Sequence, residues 1–107
     1  VLKIRNDSAQ VRRLTATGYV EWVLGDLRPK SAMHVTTEVD SKTGALFARN
    51  PFNSEFPDRI AFFDIDETSR TLTGDRAEFL GRNGSVQRPA AMGRMRLSGR
   101  VGDALAP

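Results

Sequence analysis

An all-β antiparallel sandwich is the fold that this sequence predicts, and two alternating runs and one polar loop predict it. Across residues 11–25, Leu14, Ala16, Gly18, Val20, Trp22 and Leu24 fall on one side of a period-two pattern, with Arg13, Thr15, Thr17, Tyr19 and Glu21 on the other. Met33, Val35, Thr37 and Val39 alternate in the same way with His34, Thr36, Glu38 and Asp40. The stretch with helical character, Asp75 to Leu80, accommodates at most a short helical turn.

In chain order, Val1 to Arg5 reads as a short strand, with Leu2 and Ile4 opposite Val1, Lys3 and Arg5. Asn6, Asp7 and Ser8 then turn it into the long run as a hairpin-like pair. That run reaches ~45 Å if fully extended, so a bend or bulge is expected at Gly18 and the whole is read as the central strand. Asp26 to Ser31 reads as a loop, because Pro29 fixes its own backbone and pushes Arg28 towards extended geometry. The second alternating run and Ala45 to Arg49 form a hairpin across the loop from Asp40 to Gly44. The loop from Asn50 to Pro57 carries Phe52 and Phe56, read first as buried anchors and alternatively as a sugar-stacking platform. Arg59 to Ile65 is the next strand, apolar enough at Ile60, Phe62 and Phe63 to be covered on both faces.

Composition sets outer limits. The 107 residues, 39% hydrophobic and 27% charged, suit one domain spanning 1–107. The absence of cysteine excludes disulfides and thiolate metal sites. No apolar run reaches the ~20 residues that span a bilayer, so the chain itself is expected to be soluble, with no direct membrane insertion. A start at Val1 without methionine and an end at Pro107 without a closing element lead to the expectation of a segment excised from a larger multidomain enzyme. The net charge of +3 includes Arg82, Arg88, Arg94, Arg96 and Arg100, set against a single late acid, Asp103. No aromatics interleave with these arginines after Phe79, so nucleic acid is not the expected partner.

Phe62 to Thr68, FFDIDET, matches the first motif of the haloacid dehalogenase phosphatases, in which Asp64 would attack phosphorus and Asp66 would move protons. That chemistry needs a parallel α/β sheet, a downstream Lys and a later acidic pair. No Lys follows Lys42, and the remaining chain is rich in Gly and Arg without βα alternation. The preferred reading is a polar turn closing the strand, with the phosphatase kept as a remote alternative.

Gly74 to Gly84, GDRAEFLGRNG, is the most informative polar stretch. Asp75 suits the cap of a short helix with Glu78 at its third position, Phe79 and Leu80 inward, and Gly81 ending it in a left-handed conformation. Asp75, Arg76, Glu78 and Arg82 place four charges in eight positions, which fits either a structural ion-pair cluster or a ligand-facing loop. Asn83-Gly84 reads as a two-residue turn, followed by a tail in which Met92, Met95 and Leu97 can pack on the sandwich or on a neighbouring domain.

Three phrases in this order and spacing, GYVEWVLG (18–25), FARNPFN (47–53) and TGDRAEFLGRNG (73–84), resemble glycoside hydrolase family 94, also described as glycosyltransferase family 36. The likeness runs from about Ile4 to Pro107 and is closest to the cyclic β-1,2-glucan synthase branch. It implies the latter part of a supersandwich, a galactose-mutarotase-like β-sandwich, lying before an (α/α)6 barrel that holds the catalytic acid and uses phosphate as nucleophile. The resemblance implies no catalytic residue in this chain, which is expected to be inactive alone, and no cofactor or metal. Asp75, Arg76 and Arg82 are the implied contacts to substrate, either β-glucan or glucose 1-phosphate and phosphate, through the parent enzyme. The implied partners are the downstream barrel and a second copy in a homodimer, and the implied location is the cytoplasmic side of a bacterial inner membrane. If the barrel covers the Met-rich tail, the isolated chain is expected to self-associate. The alternative is a free-standing carbohydrate-binding or assembly module.

His34 lies on the polar row without a second His or any Cys, so it reads as a surface or hydrogen-bonded side chain. Glu21 and Glu38 read as cross-strand partners of Arg13 or Arg49; the alternative, a glycosidase pair, needs carboxylates ~5 to 9 Å apart.

Overall fold

The structure, a computed structural model, describes residues 1–102. Its centre is one open antiparallel sheet of β1 (Thr36–Val39), β2 (Leu46–Arg49) and β3 (Ile60–Phe63), in that order. The predicted class holds: the chain is mostly β and irregular, with helices confined to short turns. The β1–β2 hairpin forms where the alternation and turn chemistry placed it. Asp40 accepts the backbone N–H (2.9 Å) and the hydroxyl (2.6 Å) of Thr43, and Gly44 supplies the positive φ of 75° that closes the loop.

The register places Thr37, Ala48 and Ala61 in one inward row and Val39, Leu46 and Phe63 in the next. Glu38, Phe47 and Phe62 form an outward row. The core is Trp22, Val35, Leu46 and Ala48, with Val20, Leu24, Phe63, Leu72 and Val101 packed around it. A second cluster, Phe79, Leu80 and Ala91 with Tyr19 and Leu97, lies beneath α2 (Arg76–Leu80).

Several sequence expectations are corrected. The long central strand does not form a ladder: residues 1–17 are exposed, and among the described residues none of 11–24 belongs to a strand. The pairing of Val1 to Arg5 with it is likewise not formed. Alternation fixes which side of a chain is apolar, but ladder bonds need an edge within reach. Only at 18–24 does the run pack against the core, where Val20, Trp22 and Leu24 turn inward as expected. The radius of gyration, 15.5 Å, accordingly exceeds the roughly 13 Å of a compact chain this long. At Gly18 there is a close approach, because a Cβ there would lie 2.5 Å from the Phe63 ring.

The predicted loop at 26–31 contains α1 (Arg28–Ser31), with Pro29 in its first turn and the Ser31 hydroxyl donating to Leu27 O at 3.0 Å. A 3-10 turn, Ala32–His34, follows and swings Met33 outward, so the strand begins only at Thr36. β3 is shorter than expected and covered on one face, with Phe62 72% exposed. Phe52 and Phe56 are not buried anchors: they are 74% and 46% exposed. Met92 and Met95 point to solvent, and only Leu97 packs inward. The turn after α2 centres on Arg82 and Asn83, one residue earlier than predicted, with Gly84 N donating to Gly81 O at 3.2 Å.

Residues 71–74 and 97–102 lace the two clusters together. Gly99 N donates to Leu72 O (2.9 Å), Gly74 N to Arg100 O (2.6 Å) and Thr37 N to Gly102 O (2.9 Å). Asp103, the late acid, lies outside the described residues.

Candidate functional site

α2 is held as the sequence predicts at its start and differently at its end. Asp75 Oδ1 accepts from Ala77 N (2.9 Å) and Glu78 N (3.3 Å), while Oδ2 pairs with Arg100 Nη1 at 2.6 Å. Gly81 has φ 93° and ψ 155°, a positive φ outside the left-handed helical basin. Glu78 closes a capping box by relay: Asp75 N donates to Thr73 Oγ1 (3.1 Å), which donates to Glu78 Oε2 (2.6 Å). Ser98 adds bonds from its N (2.9 Å) and Oγ (2.5 Å), and Arg94 Nη1 sits 3.7 Å away.

Burial pushes the Glu78 carboxyl up, but the bonds from Ser98 and Thr73 outweigh it, leaving the group below its ordinary 4.5. A lowered folded value means that the stabilisation is complete above about pH 4.5 and is lost as pH falls through the folded value. Glu78→Gln is therefore expected to lower stability at neutral pH by about 2 kcal/mol and to flatten the acid limb relative to wild type. Guanidinium unfolding between neutral and acid pH measures both.

Arg76, the first helical residue, reaches across to Tyr19 and Glu21. It donates to the Tyr19 hydroxyl and to Glu21 Oε1, and Tyr19 itself donates to Glu21 Oε1 at 2.5 Å. Arg28 Nε lies 3.3 Å from Glu21 Oε2 as an ion pair without hydrogen-bond alignment. The Tyr19 ring stacks on Phe79, centroids 5.1 Å apart, which fixes the position of its hydroxyl. Burial, and then the bond to Glu21, raise the Tyr19 phenol, while the bonds from Tyr19 and Arg76 lower the Glu21 carboxyl. The Arg76 guanidinium is correspondingly raised by Glu21.

Beside this network runs a groove of about 600 Å³ between residues 14–20 and 94–97. Tyr19 and Phe79 contribute aromatic surface to it, Arg70, Arg76, Arg94 and Arg96 contribute positive charge, and Asp64, Glu67 and Asp75 contribute negative charge. Of the three site residues expected from sequence, Asp75 and Arg76 line this groove and Arg82 does not. The Asp75 carboxylate is engaged by the helix N-terminus and Arg100, whereas Arg82 is exposed in the turn with no ion pair among the described residues.

Glu38 pairs with Arg49 across β1 and β2 as expected, but Glu21 pairs with Arg76 and Arg28 instead of Arg13. Asp64 pairs with Arg70 Nε at 3.0 Å in the turn after an antiparallel strand, which is not the parallel-strand setting of the phosphatase motif. Among the described residues no group of three His, Cys, Asp or Glu is placed to hold a metal, and no helix is long and apolar enough to cross a membrane. His34 lies against Phe52, ring centroids 4.9 Å apart.

Sequence reasoning missed the Tyr19–Glu21–Arg76 network and the Thr73 relay. The signal available was the polar outward row of the 18–24 run, but its partner lies 55 residues away from Glu21.

The profile described as "Glycosyl hydrolase 94, supersandwich domain" matches residues 1–107. The chain is 43% identical over 91 residues to the cyclic beta-(1,2)-glucan synthase NdvB of Rhizobium meliloti (strain 1021), a match covering 85% of this chain and 3% of the relative's length. No solved structure matches significantly.

Proposed function

Because the chain belongs to glycoside hydrolase family 94 through its supersandwich domain, we propose that it is the β-sandwich segment of a cyclic β-1,2-glucan synthase or a related inverting phosphorylase. In this reading it supports sugar binding and contacts to a neighbouring barrel domain or a second copy, and the bond-breaking chemistry resides elsewhere in the parent. The parent acts at the cytoplasmic face of a bacterial inner membrane.

The observation that carries the sugar-binding part is the fixed guanidinium of Arg76 on the wall of the groove. Tyr19 and Glu21 hold it from one side, so its geometry is set before a ligand arrives. Arg96, which has no ion pair among the described residues, adds positive charge to the same groove, which favours an anionic sugar phosphate. Asp75 serves through its hold on the helix that presents Arg76.

Calorimetric titration of glucose 1-phosphate into the chain tests this. Saturable binding is expected, weakened at least about tenfold by Arg76→Ala and little changed by Arg82→Ala, because Arg82 lies off the groove. Equal affinity of wild type and Arg76→Ala, with the fold intact by circular dichroism, would reduce this arginine to scaffolding.

A further inference from the structure

We propose that the loop at residues 50–56, with His34 beside it, is a docking platform for the flat face of a β-linked glucopyranose, separate from the arginine groove. None of His34, Phe52, Phe56 or Arg59 lines that groove.

The first support is that Phe52 is presented to solvent by a loop that is firmly held. It is 74% exposed, forgoing the ~1.5 to 3 kcal/mol that covering such a side chain contributes. The loop nevertheless spends polar side chains on fixing this position. Asn50, buried, donates from Nδ2 to Leu24 O (2.6 Å) and accepts Phe52 N at Oδ1 (3.0 Å). Asn53 Oδ1 accepts the N–H groups of Glu55 and Phe56, both at 3.0 Å. Leu24 packs against the cluster that contains Trp22, so the loop is tied directly to the core. Little ordering entropy remains to be lost when a ligand meets the ring.

The second support is the polar group set against each of the loop's two rings. The His34 imidazole meets Phe52 with centroids 4.9 Å apart and planes at 41°, and the Arg59 guanidinium lies 4.0 Å over Phe56. A pyranose with equatorial hydroxyls presents axial C–H groups on its faces, which suit the negative face of an aromatic ring, and hydroxyls around its rim. The imidazole beside Phe52 and the guanidinium over Phe56, on the same loop edge, supply hydrogen-bonding partners for that rim. The choice of β-glucan over other pyranosides rests on the proposed function.

Titration of the chain with a linear β-1,2-gluco-oligosaccharide, followed by amide NMR shifts, tests the platform. Phe52→Ala is expected to weaken binding at least about tenfold and Phe52→Trp to retain it. Because Phe52 is exposed, its replacement leaves the fold intact. Absence of saturable binding, or equal affinity for Phe52→Ala and wild type, overturns the platform. If only the glucan fails to bind while glucose 1-phosphate still depends on Arg76, the platform falls and the proposed function stands. Loss of glucose 1-phosphate binding alone gives the reverse.

Discussion

Gly84→Ala is expected to lower stability by about 3 kcal/mol or more, the upper range for inserting a group into packed structure. A Cβ at Gly84 would sit 1.6 Å from Leu80 O and 2.6 Å from Leu80 C, both backbone atoms at the end of α2. No rotamer change relieves a clash with a carbonyl, so either the turn at Arg82 and Asn83 opens or the last turn of α2 unwinds. Gly93→Ala is the control, because nothing lies within 4 Å of a Cβ there. Guanidinium unfolding of the two variants should separate widely. Similar midpoints would mean that the Gly81–Gly84 turn has no part in the cooperative unit.

Trp22→Ala is expected to cost about 3 to 5 kcal/mol, a large share of the roughly 5 to 15 kcal/mol available to a domain. Trp22 is 7% exposed and packs with Val35, Leu46 and Ala48 where the sheet meets the 18–24 segment. Trp22→Phe refills most of the space and should cost clearly less. The effect is not confined to the core. The same segment carries Tyr19 and Glu21 outward, so releasing Trp22 also frees the groups that hold Arg76. Unfolding midpoints measure the first effect, and weaker glucose 1-phosphate binding in Trp22→Ala than in Trp22→Phe measures the second.

The parts legible in the sequence are those determined by neighbours in the chain. The Asp40 to Gly44 turn contains its own hydrogen bonds, so the β1–β2 hairpin could be read directly. Asp75 caps a helix whose first residues adjoin it, and that too was readable. The failures share a different origin. Val11 to Thr17 carries strand periodicity but meets no edge, and period alone does not supply a partner. Pro29 suits a loop and the first turn of a helix equally, and the helix is where it sits. Phe52 was expected inside because aromatic residues usually are, whereas the loop around it is held by Asn50 and Asn53 with the ring outside. The Arg76 site was half legible: its residues were picked out, but Tyr19 and Glu21 as their partners depended on a fold that brings distant segments together.

The bond between Thr37 and Gly102 spans 65 positions, and both backbone and side-chain atoms of Thr37 take part. During translation the first strand of the sheet emerges long before this partner does. At about 5–20 residues per second, Thr37 waits for seconds on the ribosome with those groups facing water. Closure therefore comes late, and a loop of such length slows it. A nascent chain stalled upstream of Arg100 carries a hairpin but not the fastening that joins it to the helix bearing Arg76.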